Sequence, residues 1–373
     1  MPLSGRDLHL GRRDVWPSIL CALFLAGLLA AVQVVPAAAG SRAPGLLVEF
    51  FDVGQGDATL LSGPDFTILI DAGRHDRADV VPHLEAAGVR AIDLFILTHP
   101  HADHIGQCAA VIQRFPVREV WYSGDVHTSL TFERCLDAIL ASDAAYHEPR
   151  AGETFQIGSA RLEVVHPAEV TGDYNNGSIG VRIAYGDVVF LFTGDAESEA
   201  EAEMLTRGHP LRAHVLQLGH HGSRTSSSSP FLEAVRPEVA VYSAGRDNPY
   251  GHPHEEALRR VAGAGAVVYG TDVNGTIRVY SDGKAYEVVP ERGKPVRVMP
   301  GAARSSCAPG QVDVNSAGVE ELVRIIHIGP ALARRIIEER PFESVDELIR
   351  VSGIGQGRLA DIKEQGLACA GEM

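Results

Sequence analysis

Residues 98–106 read THPHADHIG and gather His99, His101, Asp103 and His104 directly behind the apolar run DLFILT. Imidazoles and a carboxylate at this density, without thiolates, make a donor set for Zn, Mn or Fe. A buried strand delivers its C-terminal residues to one place, and alternate residues of the following loop face the same way. His99 and His101 can then grip one ion while Asp103 and His104 grip a second. Two more apolar runs end alike: VVFLFTGD closes on Asp195, and VLQLGHHGS on His220 and His221. Ligands supplied from several strand ends at one sheet edge are what a preformed two-metal cavity requires. FTILIDAG sets Asp71 at a fourth strand end, either orienting a ligand from behind or serving as an ordinary turn aspartate. YGHPHEEAL adds His252 and His254 before a helix, with His252 a candidate substrate contact or simply a histidine near a helix N-terminus.

The elements that must hold these residues lie between residue 46 and about residue 290. There, short β-branched runs alternate with Gly, Asp and Pro turns and with stretches of helical spacing. GVRIAYGDVVFLFTGD reads as a strand segment and HIGQCAAVIQRF, FERCLDAILAS and HEEALRRVAGAG as helices, a pattern of layered sheets with helices outside. Residues 291–311 lose that periodicity and are rich in Pro, Gly, Arg and Ser, as a linker is. From 312 to 370 the chain is helical and repeats itself: IHIGPALARRI and VSGIGQGRLADI both read as helix, tight Gly turn, helix. Pro341 stops the first unit, and Ser344 with Glu347 makes a capping box.

The first 40 residues differ from the rest. Arg6, Arg12 and Arg13 precede an apolar run and then PAAAG, the order of a signal peptide cleaved after Ala39 or of an uncleaved N-terminal anchor. In either form the remainder is expected outside the cytoplasm, secreted, periplasmic or membrane-anchored. Cys108, Cys135, Cys307 and Cys369 lack CxxC spacing, so no cysteine zinc site is expected. Cys307 and Cys369 flank the last segment and could bridge its ends, with two free thiols as the alternative. The net charge of -15 excludes a protein that wraps nucleic acid by bulk electrostatics, so a polyanionic substrate must be held locally, by metal ions or backbone amides.

Taken together, HPHADH, DVGQGDA at 52–58, DAG at 71–73, FTGD and GHHGS resemble the metallo-β-lactamase superfamily, and within it the metallohydrolase domain of ComEC-type competence proteins. The resemblance implies an α+β fold, a four-layer αββα sandwich over 46–290, with two divalent metal ions (Zn or Mn) at one sheet edge and a metal-bound hydroxide as nucleophile. It implies His99 and His101 on one metal, Asp103 and His104 on the other, Asp195 bridging, and His221 as a ligand with His220 facing the substrate. Many members place a further histidine ligand before the bridging aspartate. Here DYNNGSIG stands instead, so Asn175 and Asn176, with Ser223 and His252, are candidate substrate contacts. Residues 312–362 resemble the tandem helix-hairpin-helix module of ComEA-type DNA receptors, which implies phosphate binding by backbone N–H groups at Gly329, Gly353 and Gly355. His327 stands where the first hairpin's glycine is expected.

The expectation is an exported metal-dependent phosphodiesterase or nuclease acting on DNA, with His220 assisting the leaving group and Asp71 supporting the metal site. A separate membrane DNA-uptake channel is a candidate partner, and no nucleotide cofactor is expected. The same cavity would serve a small-molecule or cell-wall phosphodiester or lactone, with the helical domain as an interaction tether.

Overall fold

The computed structural model describes residues 45–296, 307, 310–315, 317–340, 342 and 344–370. The N-terminal signal or anchor segment, most of the linker and Pro341 lie outside the described residues. Among the described residues no helix is long and apolar enough to cross a membrane.

Two sheets form the centre. The first runs through β1 (Leu46–Phe50), β2 (Thr59–Ser62), β3 (Thr67–Ile70), β4 (Leu94–Leu97), β5 (Glu119–Tyr122) and β6 (Ala145–His147). The second holds β7 (Thr154–Ile157), β8 (Ala160–His166), β9 (Gly180–Tyr185), β10 (Val188–Phe192), β11 (Val215–Gln217), β12 (Val239–Tyr242) and β13 (Val267–Gly270). The chain then returns to the first sheet with β14 (Ile277–Ser281) and β15 (Tyr286–Pro290), giving the orders β15-β14-β1-β2-β3-β4-β5-β6 and β13-β12-β11-β10-β9-β8-β7. Strands β3 to β6 pair in parallel, as do β10 to β13, so their carboxyl ends share a direction within each sheet.

The all-apolar strands follow from burial on both faces. Along β4, Leu94 and Ile96 enter the core between the sheets, while Phe95 and Leu97 pack under α1 (Val80–Ala86), α2 (Cys108–Arg114) and α3 (Leu130–Leu140). Along β10, Val188, Phe190 and Phe192 face the same inter-sheet core. Val189 and Leu191 face α4 (Ser198–Arg207), α5 (Ser229–Val235) and α6 (Glu255–Gly263). The result is helices, sheet, sheet, helices: the four-layer αββα sandwich.

The run GVRIAYGDVVFLFTGD is not one strand. It breaks at Gly186 and Asp187 into the antiparallel pair β9 and β10, with Tyr185 opposite Val188, because Gly186 takes a φ of 59° that suits a two-residue hairpin turn. Cys108 is bonded to Cys135, tying the start of α2 to α3, and Cys307 is bonded to Cys369.

The C-terminal segment has its own core, including Val314, Leu322, Ile336, Phe342, Leu348 and Ile362. Its helices Pro330–Glu338 and Gln356–Gln365 start from Gly329 and Gly355. His327 takes φ 65° and Gly353 φ 106°, so the histidine occupies the left-handed turn position that glycine fills in the second hairpin. That costs a residue with a Cβ about 1 to 2 kcal/mol. Residues Val345–Arg350 form a 3-10 helix, and the Ser344 side chain makes no capping bond there. With so short a turn, the Ser344 carbonyl takes the Glu347 N–H at 3.1 Å instead.

Candidate metal centre

The loop carrying HPHADH is fixed by other loops from the same edge. Ala72 N–H donates to the His104 carbonyl at 2.6 Å, His75 N–H to Ala102 O at 3.0 Å, Asp57 N–H to Asp103 O at 3.1 Å, and Gly106 N–H to Gly73 O at 2.9 Å. Gly106 is required by this approach, since a Cβ there would lie 2.1 Å from His75 N. Ile179 N–H reaches Thr98 O at 3.0 Å and ties in the second sheet. Asp71, His220 and His221 take positive φ values of 59°, 48° and 56°. Three residues with side chains in left-handed geometry at one site are a strain that the surrounding packing must hold in place.

Two groups of donor atoms result. His99, His101 and Asp195 form one, and Asp57, His104, Asp195 and His221 the other, with Asp195 common to both. His99 Nε2 lies 3.0 Å from His101 Nδ1 and 3.6 Å from Asp195 Oδ2. His104 Nε2 lies 3.1 Å from Asp195 Oδ1 and 3.3 Å from His221 Nε2. Asp103 stands beside the second group, its Oδ2 3.4 Å from His221 Nε2.

The tautomers decide what this cluster can hold. His104 Nδ1 donates to Asp71 Oδ2 at 2.8 Å, and His221 Nδ1 donates to the Ser243 carbonyl at 2.9 Å. Both partners can only accept. In neutral histidines this leaves two Nε2 lone pairs facing each other beside a carboxylate, an arrangement that calls for a cation between them. Thr98 Oγ1 donates to Asp71 at 2.8 Å and so accepts from His99 Nδ1 at 3.1 Å, which turns His99 Nε2 inward as well. Asp71, fully buried, thereby sets one ligand in each group: His104 directly and His99 through Thr98.

The electrostatics agree. Burial alone would lower the His221 pKa, but Asp195, Asp103 and Asp57 push it up to about 9. Burial would raise Asp195, yet His104, His221 and His99 hold it well below the usual carboxylate range. Asp57 is 2% exposed, and neither of its carboxylate oxygens has a hydrogen-bond partner; Asp195 Oδ1 also makes no hydrogen bond. Orphaned buried carboxylate oxygens beside inward-facing imidazole nitrogens fit divalent metal ions by donor type and by charge. Replacing Asp71 with Asn should lower metal affinity roughly 10- to 100-fold by releasing both histidines. A competition titration with a chromogenic chelator checks this, and unchanged affinity would refute the orienting role.

His220 Nδ1 donates to Glu197 Oε1 at 2.8 Å, and its Nε2 lies 3.8 Å from Asp195 Oδ2. Glu197 also accepts from Thr225 Oγ1 at 2.9 Å and Asn175 Nδ2 at 3.5 Å; the His220 bond holds its carboxyl below the ordinary range. His252 has ring centroids 5.2 Å from His220 and 6.0 Å from His221. Ser223 Oγ pairs with Thr225 Oγ1 at 2.9 Å. The Asn176 side chain does not join the cluster through any of its bonds. Its Oδ1 accepts from Glu197 N at 3.1 Å and Ala200 N at 3.4 Å, capping α4. His166, which the sequence sets apart, binds the Asn176 carbonyl at 2.6 Å and so supports that cap. Asp57 and Glu197 carry no ligand-like spacing in the sequence; only their loops reveal them. Beside His101 stand the rings of Tyr174 and His127, at centroid distances of 5.6 Å and 6.3 Å.

Comparison with known proteins places this geometry. Residues 309–365 match the helix-hairpin-helix motif model. ComE operon protein 3 of Bacillus subtilis (strain 168) is 30% identical over 251 residues, covering 62% of this chain and 32% of that protein. Competence protein ComA of Neisseria gonorrhoeae is 34% identical over 235 residues, with the same coverage of 62% and 32%. A deoxyribonuclease of Thioalkalivibrio sp. (strain K90mix) is 47% identical over 60 residues, 16% of this chain and 17% of that protein. The chain thus spans about a third of the length of the competence relatives it matches. The metallo-β-lactamase superfamily model matches residues 51–246, more than half of the chain and every residue of both donor groups, and the protein belongs to that superfamily of metal-dependent hydrolases.

Proposed function

We propose that the protein is an exported phosphodiesterase that hydrolyses DNA at a two-metal centre. The observation that carries this reading is the pairing, in one chain, of the inward-facing His/Asp cluster with a helix-hairpin-helix motif. The names of the relatives, a ComE operon protein, a competence protein and a deoxyribonuclease, point the same way. Two disulfides suit an oxidising compartment, in keeping with export. A separate membrane DNA-uptake channel is the candidate partner.

His99, His101 and Asp195 would hold one ion, and Asp57, His104, His221 and Asp195 the other, with Asp103 alongside. Zn or Mn suits the donors, and bound there such ions supply Lewis acidity and water acidified to near neutrality. The chain's own residues do the rest. Asp71 and Ser243 fix the imidazole tautomers. Glu197 clamps His220 by Nδ1, so that Nε2 faces the cluster as proton donor or positive contact to the leaving oxygen. Asn175, bonded to the same Glu197, Ser223, paired with Thr225, and His252, whose ring is 5.2 Å from that of His220, are the proposed substrate contacts.

The test is incubation of purified protein, loaded with Mn or Zn, with single- and double-stranded DNA. Strand cleavage is the expected result. Persistent inactivity toward DNA, RNA and bis-aryl phosphate esters with metals bound would overturn the reading.

A further inference from the structure

Three loops that leave the edge bearing the metal-binding cluster also enclose a trough. A cavity of about 420 Å³ is lined by Gln55 from the loop after β1, Arg74 and Arg77 from the loop after β3, and Arg246 and Asn248 from the loop after β12. A second, of about 410 Å³, shares Arg246 and Asn248 and adds His252. Gln55 lies two residues before Asp57 of the donor group, and the His252 ring is 5.2 Å from that of His220, so the trough adjoins the hydrolytic cluster.

Its lining is built for oxyanions. Arg74 is anchored by Nε and Nη2 to Asp76 at 2.8 Å and 2.6 Å, Arg77 by Nε to Asp79, and Arg246 by Nη2 to the Asp272 carbonyl at 3.2 Å. A guanidinium carries five N–H donors, so each anchor fixes the plane and leaves donors to spare. Gln55 is 3% exposed and its Oε1 accepts from Gly245 N at 3.1 Å, yet its amide Nε2 has no acceptor. Acidic groups line the trough too: Asp52, paired with Arg292 at 3.2 Å, Asp247 in both cavities, and Asp272 in the second, so recognition rests on the aimed donors and not on net charge. In a chain of net charge -15, such directed donors rather than a general positive field must hold a polyanion.

We propose that this trough is a phosphate-recognition subsite that tracks the internal phosphates of one nucleic-acid strand beside the phosphodiester being cut. The inference rests on the phosphodiesterase reading above and extends it.

The test uses the full, metal-loaded chain and the variants Arg74→Ala, Arg77→Ala and the pair, with Arg90→Ala before β4 as a control from the opposite sheet edge. Arg74 and Arg77 are partly exposed and outside the core, so their removal should leave folding intact, which unchanged thermal unfolding checks. Two quantities are measured: the ratio of kcat/KM for a single-stranded hexamer to that for bis(p-nitrophenyl) phosphate, and the salt dependence of binding to a fluorescein-labelled hexamer. The double variant should lower the ratio roughly tenfold or more, chiefly through KM. Its slope of log affinity against log salt should shrink by about 0.7 for each phosphate that is no longer neutralised. Arg90→Ala should change neither. An unchanged ratio and slope in the double variant would overturn the proposal, as would an effect confined to hexamers bearing a 5′-phosphate, which would mark a site for a terminal phosphate only. If wild-type protein cleaves the ester but no oligonucleotide, the DNA reading fails, and the binding slope still decides whether the arginines grip phosphates.

Discussion

Asp195→Ala should remove both metals together and lower phosphodiester hydrolysis by at least about a thousandfold. The reason is geometric. Asp195 is the one carboxylate shared by the two donor groups, with Oδ2 3.6 Å from His99 Nε2 and Oδ1 3.1 Å from His104 Nε2. Other ligands belong to one group only, so their loss should leave one ion bound. His101→Ala, for instance, strips a donor from the His99 group and leaves Asp57, His104 and His221 in place. The pair of variants therefore separates bridging from ordinary ligation. Metal content by inductively coupled plasma mass spectrometry, read beside the hydrolysis rate, is the check. An Asp195→Ala protein that keeps two ions or a tenth of the rate would contradict the shared-carboxylate arrangement.

The second large effect concerns the C-terminal segment. Deleting residues 312–373, with Cys307→Ser because its disulfide partner leaves with the tail, should lower kcat/KM for long DNA by roughly 10- to 100-fold. Hydrolysis of bis(p-nitrophenyl) phosphate should continue, because the cores that hold the His/Asp cluster share no residue with the helical segment's core. Gly355→Asp offers a finer cut. Gly355 has φ -91°, open to any residue, and a Cβ there meets nothing within 4 Å. Aspartate at this position should cap the helix Gln356–Gln365 with its own carboxylate and occupy the N–H groups a DNA phosphate would use. The helical domain should stay folded while DNA processing falls. Equal loss on DNA and on the small ester in either variant would show that the tail supports the fold and not the substrate.

Much of this architecture is legible in residue order. Leu94–Leu97 is apolar at every position because β4 is covered on both faces, and a strand so buried must end in a loop whose position is fixed. HPHADH, FTGD and GHHGS can therefore be read as ligands at strand ends that meet. What residue order conceals are contributions made by contact alone. Asp57 sits in a glycine-rich turn, and only its backbone bonds to the Asp103 carbonyl and from the Gly73 N–H bring it to the cluster. Glu197 begins an acidic helix, where a glutamate looks like any other N-terminal charge, and its bond to His220 depends on the left-handed backbone at Gly219–Gly222. Asn176 has the position of a substrate contact, yet its amide is taken up in capping α4. The hairpin inside GVRIAYGDVVFLFTGD is hidden because Gly186 and Asp187 alone make the turn between two β-branched and aromatic runs.

We propose this His/Asp cluster as a two-metal phosphodiesterase centre. Its most direct test is titration of chelator-stripped, full-length protein with Mn or Zn while single-stranded DNA cleavage is followed. The expected result is no cleavage without metal and activity that saturates near two equivalents per chain, matching the two donor groups. Cleavage that persists in chelator, or two bound equivalents with no cleavage of DNA or of a small phosphodiester, would contradict it.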